Sequence, residues 1–464
     1  MERGRERQFV AESVRDQKPE RYFWERFSPD IQASMGRYRA RKGEVPIYIW
    51  DEYFLPDAKK TNAEIDFFQT YEVYRRERIG GGEYLTMVTE IADAAVEKIR
   101  KLERIPDVIV LIPTRKEVST AHAVEVIQAD LASATNKDST PFFLVYHNDV
   151  EDPGGNVWHD LGSIRQNPRA LVFDRKVSAD YTIGEVRATL ADVAFEIAYR
   201  LGREIPLLSS DADIMGVKGG TYPSMLASYR AHPDAWFVSS AWEFDPRSIE
   251  NDVTEVLKAR VSSRFNRLLE SFISFEKWDF PPQINGTCFL ASPRRLVALG
   301  GIPRVSLGED ILLGYSTGHP STGKRRVIPF SEGTVYISGD RMVRDRRFLS
   351  AQGVESGGAR YKDWERLARQ PRLAVETHDL DVEEAVVSVN GFIRYAMHSA
   401  PRQLVDAGCD MEAIIRFASE IRSSLLEICE EYDLPIGSED HEVHVDILKE
   451  IPASIRDYMT NRKI

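Results

Sequence analysis

Between Asp107 and Ile214 short apolar runs alternate with amphipathic stretches of helical period, a rhythm that few chain architectures can satisfy. Val108-Ile-Val-Leu-Ile112, Pro141-Phe-Phe-Leu-Val-Tyr146 and Ala170-Leu-Val-Phe173 read as buried strands, the first closed by Pro113. Residues 120–132 and 183–201 carry apolar side chains at spacings of three and four, and Gly202 stops the second of these helices. Repeated strand–helix units bury their apolar faces as an α/β fold, here expected as a mostly parallel sheet with helices on both faces. Beyond Ile214 the pattern loosens. A strand is expected over 235–242, a long helix over 253–275, a strand over 286–291, a short helix over 293–299 and a hairpin within 325–337.

The flanks have a different character and divide the 464 residues into three parts. Residues 1–104 form a partly helical N-terminal extension, so dense in aromatics between Tyr22 and Tyr74 that it must pack against the main domain. Residues 105–348 form the α/β domain. Residues 349–464 form a helical C-terminal region, with its clearest helices at 382–398, 411–432 and 445–458, suited to homo-oligomerisation.

A net charge of −12 argues against nonspecific nucleic-acid binding. Three widely separated cysteines make neither a disulfide framework nor a zinc spacing, which suits a reducing compartment. No apolar run is long enough to span a membrane, and Met1-Glu-Arg-Gly-Arg-Glu-Arg lacks a signal-peptide core, so a cytoplasmic protein is expected.

Chemistry-bearing residues gather at predicted strand ends. The run Ile205-Pro-Leu-Leu-Ser-Ser-Asp-Ala-Asp-Ile214 closes in two carboxylates, Asp211 and Asp213. If the chain stays extended there, both project to one side, about 6.5–7 Å apart. Like charges so placed make sense around a cation or a hydrogen-bond network. Asp149 ends the second strand, and Glu309-Asp310 opens a later helix. Plainer readings exist for each. An Asp-x-Asp is ordinarily a turn or cap, acids in a first helical turn are ordinarily just stabilising, and arginines 341, 344, 346 and 347 read best as a solvated surface. His147 and His159 read as structural or solvent-facing, and Cys288 as a small core residue.

In their order along the chain, these fragments resemble family 2 glycosyltransferases of GT-A fold, a Rossmann-like α/β architecture. Val108 to Glu117 resembles the family's opening strand and loop. Ser210-Asp-Ala-Asp213 resembles its DXD motif, and Gly300-Gly-Ile-Pro with Gly308-Glu-Asp310 resembles its late Gly-Gly and Glu-Asp motif; together they cover roughly residues 107 to 345. The resemblance implies transfer of a sugar from a nucleoside-diphosphate donor, UDP- or GDP-linked, to an acceptor hydroxyl, with Mn²⁺ or Mg²⁺ as cofactor. It implies Asp213 on the metal, Asp211 on the donor ribose or in the metal's surroundings, and Asp149 on the base. It further implies Pro113, Thr114, Arg115 and Glu117 around the nucleoside, and Asp310 as the general base of an inverting transfer. Its expected place in a first helical turn would favour the ionised form of Asp310. No Gln-x-x-Arg-Trp follows Asp310, which points to a non-processive enzyme. Three competing readings are a retaining transferase of the same layout, a nucleotidyltransferase, and a transferase-like scaffold without turnover. The second lacks its glycine-rich loop, since Pro113-Thr-Arg-Lys-Glu117 contains no glycine.

Overall fold

The computed structural model describes residues 58, 60–114, 119–133, 140–148, 156–175, 183–245, 252–272, 284, 286–304, 309–310, 313–314, 327–338, 378–398, 400–406 and 408–461. They divide into two compact units, the first drawn from 1–241, 280–335 and 352–372 and the second from 242–279, 336–351 and 373–464. In chain order the elements begin with α1 (Phe67–Tyr74), α2 (Glu83–Arg100), β1 (Val108–Thr114), α3 (Thr120–Ala132), β2 (Pro141–His147), α4 (Asn156–Gln166), β3 (Ala170–Asp174) and α5 (Ile183–Leu201). They continue through β4 (Leu207–Ser210), β5 (Ile214–Val217), α6 (Thr221–Ala231), β6 (Phe237–Phe244), α7 (Val253–Phe272), β7 (Cys288–Ala291), α8 (Pro293–Ala298) and β8 (Val327–Ile337). The last helices are α9 (Val382–His398), α10 (Ala400–Asp406), α11 (Met411–Glu431) and α12 (Ile451–Asn461).

The expected α/β architecture is present, with the strands in the order β3-β2-β1-β4-β7-β6-β8-β5. Strands β3, β2, β1 and β4 run parallel, whereas β7 pairs antiparallel with both β4 and β6. The chain therefore builds outward from β1 to β3, returns to the other side of β1 as β4, and reverses strand order between those two. Ligands of open α/β sheets bind in the crevice at the carboxyl ends of strands at such a reversal. Here the reversal lies between the ends of β1 and β4, at Thr114 and Ser210.

Three local readings differ from the sequence expectation. Strand β1 continues through Pro113 to Thr114, because the ladder with β4 covers only Ile109 to Leu111 while β2 accompanies β1 to its end. Pro113, which has no N–H to give, sits where one side of the strand has no partner to supply. Strand β4 stops at Ser210; Ala212 and Asp213 form a turn that feeds β5 at the opposite edge of the sheet. Asp211 and Asp213 thus do not share one face of an extended strand. The expected hairpin in 325–337 is instead one strand, β8, lying between β6 and β5. Partners on both sides, such as the Lys218 N–H donating to Thr334 O at 2.8 Å, remove any need to fold back at Ser331-Glu-Gly333.

Helix α5 is buried from Val186 to Ala198 on every side, an arrangement that its polar residues Arg187, Asp192 and Glu196 tolerate only by being paired. Helix α1 packs on it through Tyr71 and Tyr74, which meet Phe195 edge to face, and α2 reaches it through Tyr84, whose hydroxyl donates to Asp192. The chain leading into α1 is held by the start of α8. Arg295, 1% exposed, donates to Asn62 Oδ1 (2.9 Å), Ala58 O (2.9 Å) and Lys60 O (2.7 Å), with Cζ 4.1 Å from the Trp236 ring centroid. These bonds satisfy carbonyls that no ladder serves. The aromatics Phe67, Phe68, Tyr71 and Tyr74 are accordingly packed against the α/β unit, as expected of the extension; those from Tyr22 to Phe54 lie outside the described residues.

The second unit is helical. Leu257, Val261 and Phe265 of α7 form one core with residues of α9, α10, α11 and α12. The expected helix over 445–458 begins as a 3₁₀ turn at Val445–Glu450 and becomes α-helical at Ile451, where Pro452 fits a first turn that needs no N–H donor. Glu243, buried, is paired with Arg260 at 3.4 Å and Arg264 at 3.0 Å. No feature of the described residues supports a homo-oligomer, and none of their helices is long and apolar enough to cross a membrane.

Candidate active site

The crevice at the end of β4 is organised by a residue that sequence reading passed over, Arg187 in the first third of α5. Its guanidinium gathers oxygens from three chain segments. Nη1 donates to Ser209 Oγ at 3.0 Å and to Gly286 O, and Nη2 donates to Asp211 Oδ1. Nε lies 3.1 Å from Glu309 Oε1, an ion-pair contact whose angle falls outside that of a hydrogen bond. Arg187 and Glu309 are each 4% exposed, so this charge cluster is desolvated. A planar fork with five donors is the side chain suited to such a junction.

Strand direction explains why these segments meet. Because β7 runs antiparallel to β4, its first residue, Cys288, faces Ser210, and the residues just before it lie beside Asp211. The Asp211 N–H donates to Thr287 O at 3.1 Å. The Gly286 N–H in turn donates to Asp310 Oδ2 at 2.6 Å. A Cβ on Gly286 would stand 2.9 Å from that oxygen and 3.2 Å from both terminal nitrogens of Arg187, so any side chain there would have to displace Asp310.

Asp211, Glu309 and Asp310, almost one hundred residues apart in sequence, are thereby brought together. Asp213 follows on the turn, half-buried, with Ala212 O accepting from Ser119 Oγ at 3.1 Å. Pro113 and Thr114 end β1 on the other wall; Thr114 is 1% exposed, and its hydroxyl bonds that of Thr120 at 2.8 Å. Arg115, Glu117 and Asp149 lie outside the described residues, as do arginines 341, 344, 346 and 347. His147 is buried, with Nδ1 3.1 Å from Asp174 Oδ1, which agrees with a structural role. Cys288 is a core residue, its thiol pushed up to about 12 by burial.

The signal for Arg187 was present in the sequence. It lies in line with Ala191, Ala194 and Ala198 at helical spacings of four, seven and eleven, a cation on a stripe of small residues that has to be buried.

Burial, followed by repulsion from Asp310 and Asp211, raises the Glu309 carboxyl from 4.5 to about 7, against the opposing pull of Arg187. A carboxyl that keeps its proton longer when folded makes the fold lose stability as pH rises through that interval. The cost is absent below about 4.5 and complete above about 7, and amounts to roughly 3 kcal/mol. Glu309→Gln is expected to remove this slope. Denaturant unfolding of parent and variant at pH 5 and pH 8 measures it as a change in their stability difference, and an unchanged difference would mean that Glu309 does not titrate there.

No family model matches the chain, and no curated protein matches it. Among solved structures it is similar to a mannosyltransferase from Pyrobaculum calidifontis in complex with GDP-Man and Mn²⁺, at TM-score 0.32 and 14% identity over 86% of this chain and 100% of that one. It is also similar to residues 1–349 of TarS from S. aureus, at TM-score 0.31 and 12% identity over 76% and 92%. A third is mannosyl-3-phosphoglycerate synthase from Rubrobacter xylanophilus, at TM-score 0.27 and 12% identity over 65% and 77%. Glycosyltransferases thus stand among the structures the chain is similar to. Overlap at this level leaves the chemistry of this chain to be read from its own residues.

Proposed function

We propose that the protein is a glycosyltransferase that moves a sugar from a nucleoside-diphosphate donor to an acceptor hydroxyl, with inversion and without processivity. The observation that carries this reading is the convergence of Asp211 with Glu309 and Asp310 on Arg187 and Gly286, at the strand-order reversal where an α/β sheet binds ligands. Asp310 serves as the base. With one oxygen fixed by the Gly286 N–H, the carboxylate is held in a set orientation, from which it takes the proton of the attacking hydroxyl. Asp211, its Oδ1 engaged by Arg187, is the carboxylate assigned to the donor ribose.

Among the described residues no group of three or more His, Cys, Asp or Glu could cage a metal. A site of one or two carboxylates suits Mg²⁺ or Mn²⁺ whose remaining ligands are water and phosphate oxygens, and Asp213 is the carboxylate assigned to it, with Asp211 beside it. When bound, such a cation neutralises charge on the departing diphosphate. Pro113, Thr114, Arg115, Glu117 and Asp149 remain assigned to the nucleoside.

Titrating UDP and GDP calorimetrically with and without Mn²⁺ tests the reading. Binding of one of them is expected to need the cation and to weaken at least tenfold in Asp213→Asn. Equal affinity without metal and in that variant would sink the metal assignment, and the absence of any nucleotide binding would sink the whole reading.

A further inference from the structure

Helix α5 carries a second charged hub five residues beyond Arg187. Asp192, fully buried, accepts from Tyr74 Oη at 2.5 Å, Tyr84 Oη at 2.6 Å and Arg304 Nη2 at 2.6 Å. Arg304 also donates to Tyr84 Oη at 2.7 Å and places its Cζ 4.9 Å from the Tyr84 ring centroid. The charges match in opposite senses along two segments of the chain. Helix α5 presents a cation at 187 and an anion at 192; the segment leading to the candidate base presents a cation at 304 and an anion at 309. The segment is therefore tied to one helix at both ends, and only the antiparallel register pairs unlike charges. A free five-residue linker could carry its end over about 17 Å.

Two of the three donors to Asp192 come from α1 and α2, which precede the α/β sheet in the chain. The same arm touches the turn that begins the tethered segment. Gly301 has φ +89°, and a Cβ there would run into the Tyr74 hydroxyl. The arm thus packs on the entrance to this segment and supplies hydroxyls to the hub that holds it.

We propose that Arg304, anchored through Asp192 by Tyr74 and Tyr84 of the N-terminal arm, is a positioning residue that fixes where Asp310 stands over the acceptor. The arm then completes the active site, in addition to covering the core. This inference rests on the transferase reading and adds to it a requirement for residues outside the α/β domain.

The test uses the full chain and three variants, Arg304→Met, Arg304→Lys and Tyr84→Phe, the last removing one hydroxyl and no bulk. Hydrogen exchange read by mass spectrometry is expected to accelerate at least tenfold in peptides covering 300–314 of Arg304→Met, with peptides of β1 to β3 unchanged. With UDP-glucose and GDP-mannose as probe donors and Mn²⁺ present, kcat should fall at least tenfold in Arg304→Met while affinity for the nucleoside diphosphate stays within twofold. Arg304→Lys should recover part of both effects, and Tyr84→Phe should show both more weakly. Unchanged exchange across 300–314 in Arg304→Met would overturn the anchor. Accelerated exchange with undiminished kcat would overturn the positioning role. A parent protein that binds no nucleoside diphosphate would remove the transferase reading and the positioning role with it, while the exchange result would still decide the anchor.

Discussion

Asp310→Asn is expected to lower transfer by about 10²- to 10⁴-fold, the range a positioned general base contributes, while leaving nucleoside diphosphate affinity within about twofold. The substitution is nearly isosteric, and the amide oxygen can still accept the Gly286 N–H that now reaches Asp310 Oδ2 at 2.6 Å. What is lost is the capacity to take a proton from the acceptor hydroxyl. A fall in kcat at constant donor affinity assigns the residue to the chemical step. A variant with parental kcat would remove Asp310 as the base and favour the retaining alternative, in which no carboxylate there has to deprotonate the acceptor. Proton NMR of the product anomer decides between the two stereochemistries independently of the variant.

The parts of this molecule legible in its sequence are those governed by local periodicity. Residues 120–132 and 183–201 are helices over those limits, and β1, β2 and β3 fall on the three apolar runs, because buried strands and amphipathic helices announce themselves by spacing. Residues 325–337 read as a hairpin because Ser331-Glu-Gly333 has turn chemistry locally, while the partners of β8, β5 and β6, lie about ninety residues or more away in sequence. The two aspartates after β4 were readable as a pair, but their separation by a turn was not. That turn is imposed by Thr287 and Arg187, which reach Asp211 from other segments. Gly286 carried no signal of its own, since the crowding around it arises only from Asp310 and Arg187 closing on it. The Tyr74–Tyr84–Asp192–Arg304 cluster is likewise a product of tertiary packing; the sequence shows only that the aromatics must be covered.

Arg187→Met is expected to be the most damaging single change to the site, costing about 3–5 kcal/mol of stability as removal of one partner of a buried ion pair does, together with nearly all activity. The guanidinium is the counter-charge of both Asp211 and Glu309, and it also satisfies Gly286 O and Ser209 Oγ. Its loss leaves acceptors buried without donors, each carrying its own desolvation penalty. Arg187→Lys should recover only part, because an ammonium is a single point charge and cannot reach three segments in the plane of a fork. The double variant Arg187→Met/Glu309→Gln separates what the arginine does for the fold from what it does for the site. Removing the Glu309 charge along with its partner should restore part of the lost stability, with a coupling of about 0.5–3 kcal/mol between the two positions. It should restore no activity, because Asp211 still lacks its partner and Gly286, which carries Asp310, still lacks its anchor. Denaturant midpoints for the four proteins of the cycle, set beside their turnover, measure both quantities. Recovery of turnover in step with stability would show that Arg187 serves the fold alone.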